Sequence, residues 1–224
     1  EVAQLCNVSK STISKFIRSL DFEDYPSFRD AATFEENKYG FSLNYNQNIA
    51  EYIEREGMDS YIESIHNDIE ECKKSLDMDK VNELANDLIK YKKVASFGLL
   101  FSEIAALDLQ TKLAYNGKFI ITTLNDIKQD QFIHSAKDDT LIIIFSNSGG
   151  YMKKYQLSKF QIRKNFSNTK AKIALITSNK EMKDFEEVDL CICFKHTTNV
   201  QTHSIIFQLI NDYITNRYRQ LTRK

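Results

Sequence analysis

Ser146, Asn147, Ser148, Gly149 and Gly150 follow directly on the apolar run Leu141 to Phe145 and precede a stretch with helical spacing. An apolar run of that length reads as a buried strand, and glycines let the backbone turn sharply where it ends. Hydroxyls and free N–H groups at a helix start attract anions, because the first turn leaves its donors unsatisfied and carries partial positive charge. The chemistry is that of a phosphate cradle. No Gly-Lys-Ser/Thr ending follows, so nucleotide hydrolysis has no support.

A second turn of the same kind lies at Ser96 to Ser102, with Gly98 leaving one apolar run and Ser102 opening the next helical stretch. Each turn taken alone is also explained by simple capping. Together, at the carboxyl ends of strands in one open sheet, they point to a single pocket.

Five short apolar runs must carry these turns: Val94 to Phe97, Phe119 to Thr122, Leu141 to Phe145, Ile173 to Ile176 and Leu190 to Phe194. They are nearly continuous in apolar character and are separated by segments long enough for crossover helices. That pattern predicts an α/β class with a five-stranded parallel sheet flanked by helices, the helices lying at about 79–91, 102–116, 151–166 and 200–221. Ahead of it, Ile49, Ile53, Tyr61, Ile65, Ile69 and Leu76 recur at helical spacing, interrupted by Gly57, as a helical connector. The polar segment Phe34 to Tyr45 is the expected hinge. The expected domains are 1–35, 36–76 and 77–224.

The first 35 residues read as short helices around a tight turn, with the chain's one proline, Pro26, near their end. Ser9 stands where an N-cap belongs, and Val8, Ile13, Phe16, Ile17 and Leu20 form an apolar stripe. Lys10, Ser11, Ser14, Lys15 and Arg18 take the other face, with Thr12 beside them. Between Ser9 and Leu20 there are three basic residues and no acidic one. Concentrated positive charge and hydroxyls near a helix start suit a recognition helix in a DNA major groove; a solvated basic face is the plainer alternative. The chain opens on Glu1 inside a helical pattern, so residues upstream are expected to complete this all-α unit.

The segment Val2 to Arg29 resembles the helix-turn-helix of the RpiR family of bacterial regulators. The likeness rests on the Val8-Ser9 pair, the Thr12-Ile13 pair and Phe16 in the helix, and on Leu20, Phe22 and Tyr25 after it. Lys15 stands where the family usually has Arg, which keeps the charge but loses a bidentate fork. Residues 79 to 217 resemble the sugar isomerase (SIS) domain, in which a Gly-x-Gly-x-Ser turn and a Ser-x-Ser-Gly-x-Thr loop hold the phosphate of a phosphosugar. The resemblance implies phosphate binding by Ser102, Ser146 and Ser148, turn glycines at Gly98 and Gly149, neighbours Asn147 and Gly150, and Thr177 at the end of a strand. Leu100 replaces the second glycine of the first turn, and Tyr151 replaces the threonine of the second loop. The implied partners are a double-stranded DNA operator, a phosphosugar effector and a second copy of the chain, in a homodimer or higher homo-oligomer.

The resemblance spans both isomerases and sensors. Isomerisation needs a base beside a carbonyl, and Glu103, Glu186, Glu187, His196 and His203 are the candidates. Attachment to a helix-turn-helix favours a sensor with no catalytic residues; an isomerase, or a degenerate domain serving only dimerisation, are the alternatives. The four cysteines are scattered, and Cys191 and Cys193 sit in an apolar run where Cys behaves as a small hydrophobe. The four histidines lack His-x-x-x-His spacing, so neither a metal nor any cofactor is expected. A 42% apolar, 27% charged chain of 224 residues has the composition of a globular protein. With no ~20-residue apolar run or basic leader, a cytoplasmic address is expected. A net charge of −1 means that any attraction to DNA is local.

Overall fold

The computed structural model describes residues 2–20, 22, 24–29, 49–152, 166–197 and 200–223. The expected hinge at 34–45 and most of the helix expected at 151–166 lie outside the described residues. The chain divides into two compact units, one holding the described N-terminal residues and the other those from Ile49 onward.

In the first unit, α1 (Val2–Leu5) leads through a turn with Asn7 at φ 51° into α2 (Lys10–Ser19). The Ser9 side chain caps α2 by accepting from the Thr12 N–H at 3.1 Å. The apolar stripe is only partly covered: Ile17 is buried, whereas Val8, Phe16 and Leu20 are exposed. Phe28 meets Phe16 and Phe22 edge-on, at 6.2 and 5.5 Å between centroids.

The second unit opens with α3 (Ile49–Glu56) and α4 (Met58–Ser75), which break at Gly57 because its φ of 86° suits a residue without a Cβ. There follow α5 (Met78–Lys90), β1 (Lys93–Phe97), α6 (Phe101–Ala114), α7 (Asp126–Ser135), β2 (Thr140–Phe145), β3 (Lys172–Thr177), β4 (Leu190–Cys193) and α8 (His203–Thr222). The strands pair in parallel in the order β1-β2-β3-β4, with Phe97 level with Ile144, Phe145 with Ile176 and Thr177 with Cys193.

Among the described residues the sheet has four strands, not the expected five. The run Phe119 to Thr122 contributes one parallel bridge, Ile121 to Ala95, on the outer side of β1. Its burial explains why: Ile120 is buried, but Phe119 and Ile121 are exposed at 80% and 49%, so no second layer holds the segment flat. The helix α7 was not expected. Few of its residues are apolar, and its start is set by Asn125, whose side chain accepts from the Lys128 N–H.

Every residue of β2 is buried, because the sheet is covered on both faces. One face packs Leu141, Ile143, Phe145, Ile176 and Ile192 against α5, α6 and α8; the other packs Ile142, Ile144, Ile173 and Leu175 under α7 and Tyr151. Two polar anchors fix the helices. Lys172, at the start of β3, reaches Asp87 at 2.6 Å and Glu83 at 3.1 Å on α5; Lys112 on α6 pairs with Asp212 of α8 at 2.6 Å.

Candidate functional site

The chain goes from β1 outward to the bridge at Ile121 and then returns to β2 on the other side of β1. The strand order therefore reverses between β1 and β2, and the crevice outside their carboxyl ends is where open α/β sheets take ligands. Both turns singled out in the sequence lie there: Gly98 to Ser102 leaves β1, and Ser146 to Gly150 leaves β2.

Gly98 is required sterically, since a Cβ there would stand 2.4 Å from the Ser102 carbonyl oxygen. Leu100 nevertheless takes the glycine-like conformation of the turn, φ 56° and ψ −123°, a region that costs a side-chain-bearing residue about 1–3 kcal/mol. Ser102 is buried in the first turn of α6. In the second turn, Gly149 has φ 75°, and a Cβ on it would press Met182 at 2.6 Å. Ser146 is buried, and its hydroxyl accepts from the Tyr151 N–H at 3.1 Å, so it caps the chain after the turn. Ser148 Oγ accepts from the Gly150 N–H at 3.3 Å.

The two turns are joined by a residue that sequence reasoning missed. Gln129 of α7 is fully buried; its amide donates to the carbonyls of Gly98 at 3.0 Å and Thr123 at 2.7 Å, while its carbonyl accepts from the Tyr151 hydroxyl at 2.7 Å. Tyr151 is thus more than a bulky replacement for a threonine, because its hydroxyl completes this junction. A buried Gln in a weakly amphipathic stretch gives no periodic signal; its polarity at a core-facing position was the one available clue.

Thr177 is buried, and its hydroxyl donates to the Asn147 carbonyl at 3.0 Å while accepting from the Asn179 N–H at 3.1 Å. Its hydroxyl holds the Ser146 to Gly150 turn. Ser178 adds two more bonds to the Asn147 carbonyl, and the Asn179 side chain donates to the Ser148 carbonyl at 3.0 Å.

Among the candidate bases, Glu186 and Glu187 precede β4 and so lie at the amino end of the sheet, away from the crevice. Burial pushes the Glu103 carboxyl up to about 7; a Leu100 backbone hydrogen bond opposes this and the Asp126 carboxylate reinforces it. Burial, with His196 beside it, holds the His203 ring down at about 4 despite Asp68. His203 packs edge-on against Phe101 and Phe207. Burial also lowers His196, whose Nε2 lies 2.9 Å from Thr202 Oγ1. Buried Asp68 of α4 accepts from Thr202 Oγ1 at 2.6 Å and from the Thr197 N–H at 3.0 Å, tying the expected connector into the α/β unit. Among the described residues, no group of three or more His, Cys, Asp and Glu could hold a metal ion. No described helix is long and apolar enough to cross a membrane.

On α2, Lys10, Ser11, Thr12, Ser14, Lys15 and Arg18 are all exposed. Lys10, Ser11, Ser14, Lys15 and Arg18 share one arc of the helix. Thr12 falls outside it, toward Phe16, and its hydroxyl lies 2.8 Å from that of the cap Ser9.

No family model matches the chain. An uncharacterized HTH-type transcriptional regulator of Providencia stuartii is 25% identical over 154 residues, which are 66% of this chain and 53% of the relative. The HTH-type transcriptional regulator HexR of Escherichia coli is 24% identical over 147 residues, 64% of this chain and 49% of the relative. The chain thus spans about half the length of the curated relatives it matches. Among solved structures, the Vibrio vulnificus NanR protein complexed with ManNAc-6P matches with a TM-score of 0.57 at 12% identity, over 98% of this chain and 78% of that one. A Methanococcus jannaschii protein, for which a 3-hexulose-6-phosphate isomerase function is inferred, matches with a TM-score of 0.52 at 20% identity, over 72% of this chain and 90% of that one. These likenesses show the fold. In sequence the chain is similar to HTH-type transcriptional regulators, and in fold its α/β unit is similar to that of sugar-phosphate proteins.

Proposed function

We propose that this chain belongs to a DNA-binding transcription regulator whose α/β unit takes a phosphosugar as effector, with no catalytic step. One observation carries the reading: two serine-bearing turns stand side by side at the switch point of the sheet, locked together by Gln129, in a chain whose sequence relatives are regulators. Gly98, Ser102, Ser146, Asn147, Ser148, Gly149 and Gly150 form the phosphate cradle, and Thr177 positions it. Serine hydroxyls and helix-start N–H groups suit a dianion without a metal. NanR, whose fold the chain shares, is complexed with ManNAc-6P, which supports the effector class.

The basic arc of α2 reads the operator, with Lys10, Ser11, Ser14, Lys15 and Arg18 toward the duplex and Thr12 supporting the cap. A palindromic operator calls for two copies about one helical turn apart. The surface assigned to that homodimer is the set of exposed apolar residues on α6 and the segment after it, Ile104, Leu107, Tyr115, Phe119, Ile121 and Leu124. Ligand alters DNA affinity by favouring one arrangement of the copies.

The test is a phosphosugar panel read by melting temperature and by operator affinity. Ser146→Ala with Ser148→Ala abolishes the response and leaves ligand-free DNA binding near normal. If no phosphosugar and no inorganic phosphate moves either readout at millimolar concentration, the domain serves dimerisation alone. Burial brings the Glu103 carboxyl up to about 7, fit for proton transfer near neutral pH, so turnover of an aldose phosphate that Glu103→Gln removes would favour the isomerase instead.

A further inference from the structure

A pair of thiols stands on the far edge of the sheet, outside the proposed effector site. Cys191 and Cys193 are two apart on β4, which pairs only with β3 among the described strands. Alternation along a strand sends both side chains to the same face, and their sulfurs lie 3.5 Å apart. Both line a cavity of about 450 Å³ whose wall carries Lys80, Lys180 and Lys183 against Asp77 and Asp189. Lys180 and Lys183 are exposed, while Lys80 is paired with Glu83 at 3.1 Å. The electrostatics of the pair are unequal. The hydrogen bond from Cys191, aided by Lys183 and Lys180, brings the Cys193 thiol down to about 7, whereas the same bond together with burial pushes Cys191 up.

We infer that Cys191 and Cys193 form a vicinal dithiol site that reacts with an anionic low-molecular-weight disulfide to close a reversible intrastrand disulfide. Geometry brings the two sulfurs together, and charge sets the roles: Cys193, though only 8% exposed, is the thiol that the Cys191 hydrogen bond and the lysines favour as thiolate. The Cys193 thiolate attacks one sulfur of the small disulfide and expels one thiolate, which takes up a proton. Cys191 then loses its proton to solvent, attacks the Cys193 sulfur and expels the second small thiol. The protein loses two electrons and two protons, and one small disulfide becomes two thiols. The lysines favour an anionic reagent by raising its local concentration. Residues two apart in a strand have Cα atoms about 6.6 Å apart, near the outer end of the roughly 4.4–6.8 Å that a disulfide bridges. The oxidised form is therefore strained and easily reduced, which suits a reversible modification.

The experiment exposes the full chain, folded and at neutral pH, to oxidised glutathione or to cationic cystamine, and reads the products by intact mass and peptide mapping. Exposed Cys6 and fully buried Cys72 serve as positive and negative controls within the same molecule. Oxidised glutathione yields a Cys191–Cys193 linkage that mild thiol reverses. Cys191→Ser halts at a glutathione adduct on Cys193. Lys180→Gln with Lys183→Gln slows the glutathione reaction about three- to tenfold near pH 7 and slows the cystamine reaction markedly less, because the lost thiolate affects both reagents and the lost attraction only the anionic one. Reaction at Cys6 alone, a first adduct on Cys191, or adducts on β4 that never resolve into the linkage would each overturn the assignment; the wild-type map decides these even if a variant fails to fold.

Discussion

Gln129 concentrates three hydrogen bonds in one side chain, two of them buried, and its removal takes a donor from the Gly98 and Thr123 carbonyls and an acceptor from the Tyr151 hydroxyl. Gln129→Leu should destabilise the unit by ~2–4 kcal/mol, against ~1 kcal/mol for Tyr151→Phe, which deletes one donor. Denaturant titrations of both variants check the order; equal losses would mean that the bonds to the Gly98 and Thr123 carbonyls add nothing beyond the Gln129–Tyr151 bond. Gly98→Ala, which drives a Cβ into the Ser102 carbonyl, belongs with the severe class. Glu103 acts through pH. Its folded pKa of about 7 lies above the ordinary carboxylate value, so the folded state holds the proton longer, and stability falls as pH rises from about 4.5 through 7. Glu103→Gln should therefore stabilise the protein by ~1–2 kcal/mol at pH 8 and do nothing at pH 4. His203, held down at about 4, works in the other direction: its contribution is present above its unfolded value near 6.5 and is lost as pH falls toward 4.

At the scale of elements, the basic arc of α2 yields a prediction of its own: replacing Lys15 and Arg18 together should weaken operator binding and lower the slope of log affinity against log salt by about two. An unchanged slope would remove α2 from the duplex. The strands β1 to β4 were legible in the sequence because each is a short apolar run buried on both faces, so Leu141 to Phe145 announces itself without periodicity. The same rule misled at Phe119 to Thr122. Apolar residues there face outward beside α6, and one bridge is all that forms. Helix α7 was illegible for the opposite reason, since a glutamine takes one of its two buried positions, beside Ile133. The turns of the crevice were readable from Gly and Ser, yet the bonds that hold them come from Thr177, Ser178 and Asn179 on the next strand and from α7. Long-range pairing of that kind leaves no local trace.

For the whole molecule, the apolar face around Tyr115 and Phe119 predicts a concentration-dependent dimer. Tyr115→Glu with Phe119→Glu should shift sedimentation to a single copy and weaken operator binding, while the melting temperature of the fold moves little. The sheet order has a kinetic side as well. Its register joins residue 174 to 190, 141 to 172 and 93 to 140, so the chain segment to be looped grows from β3–β4 to β1–β2. Loop-closure entropy makes the most local pairing the easiest to nucleate and the β1–β2 seam the last to zip. The crevice is built on that seam, so its completion is expected late in folding. An anion settling there should leave the refolding arm of a chevron untouched and slow only the unfolding arm, which makes an occupied protein longer-lived without making it quicker to form.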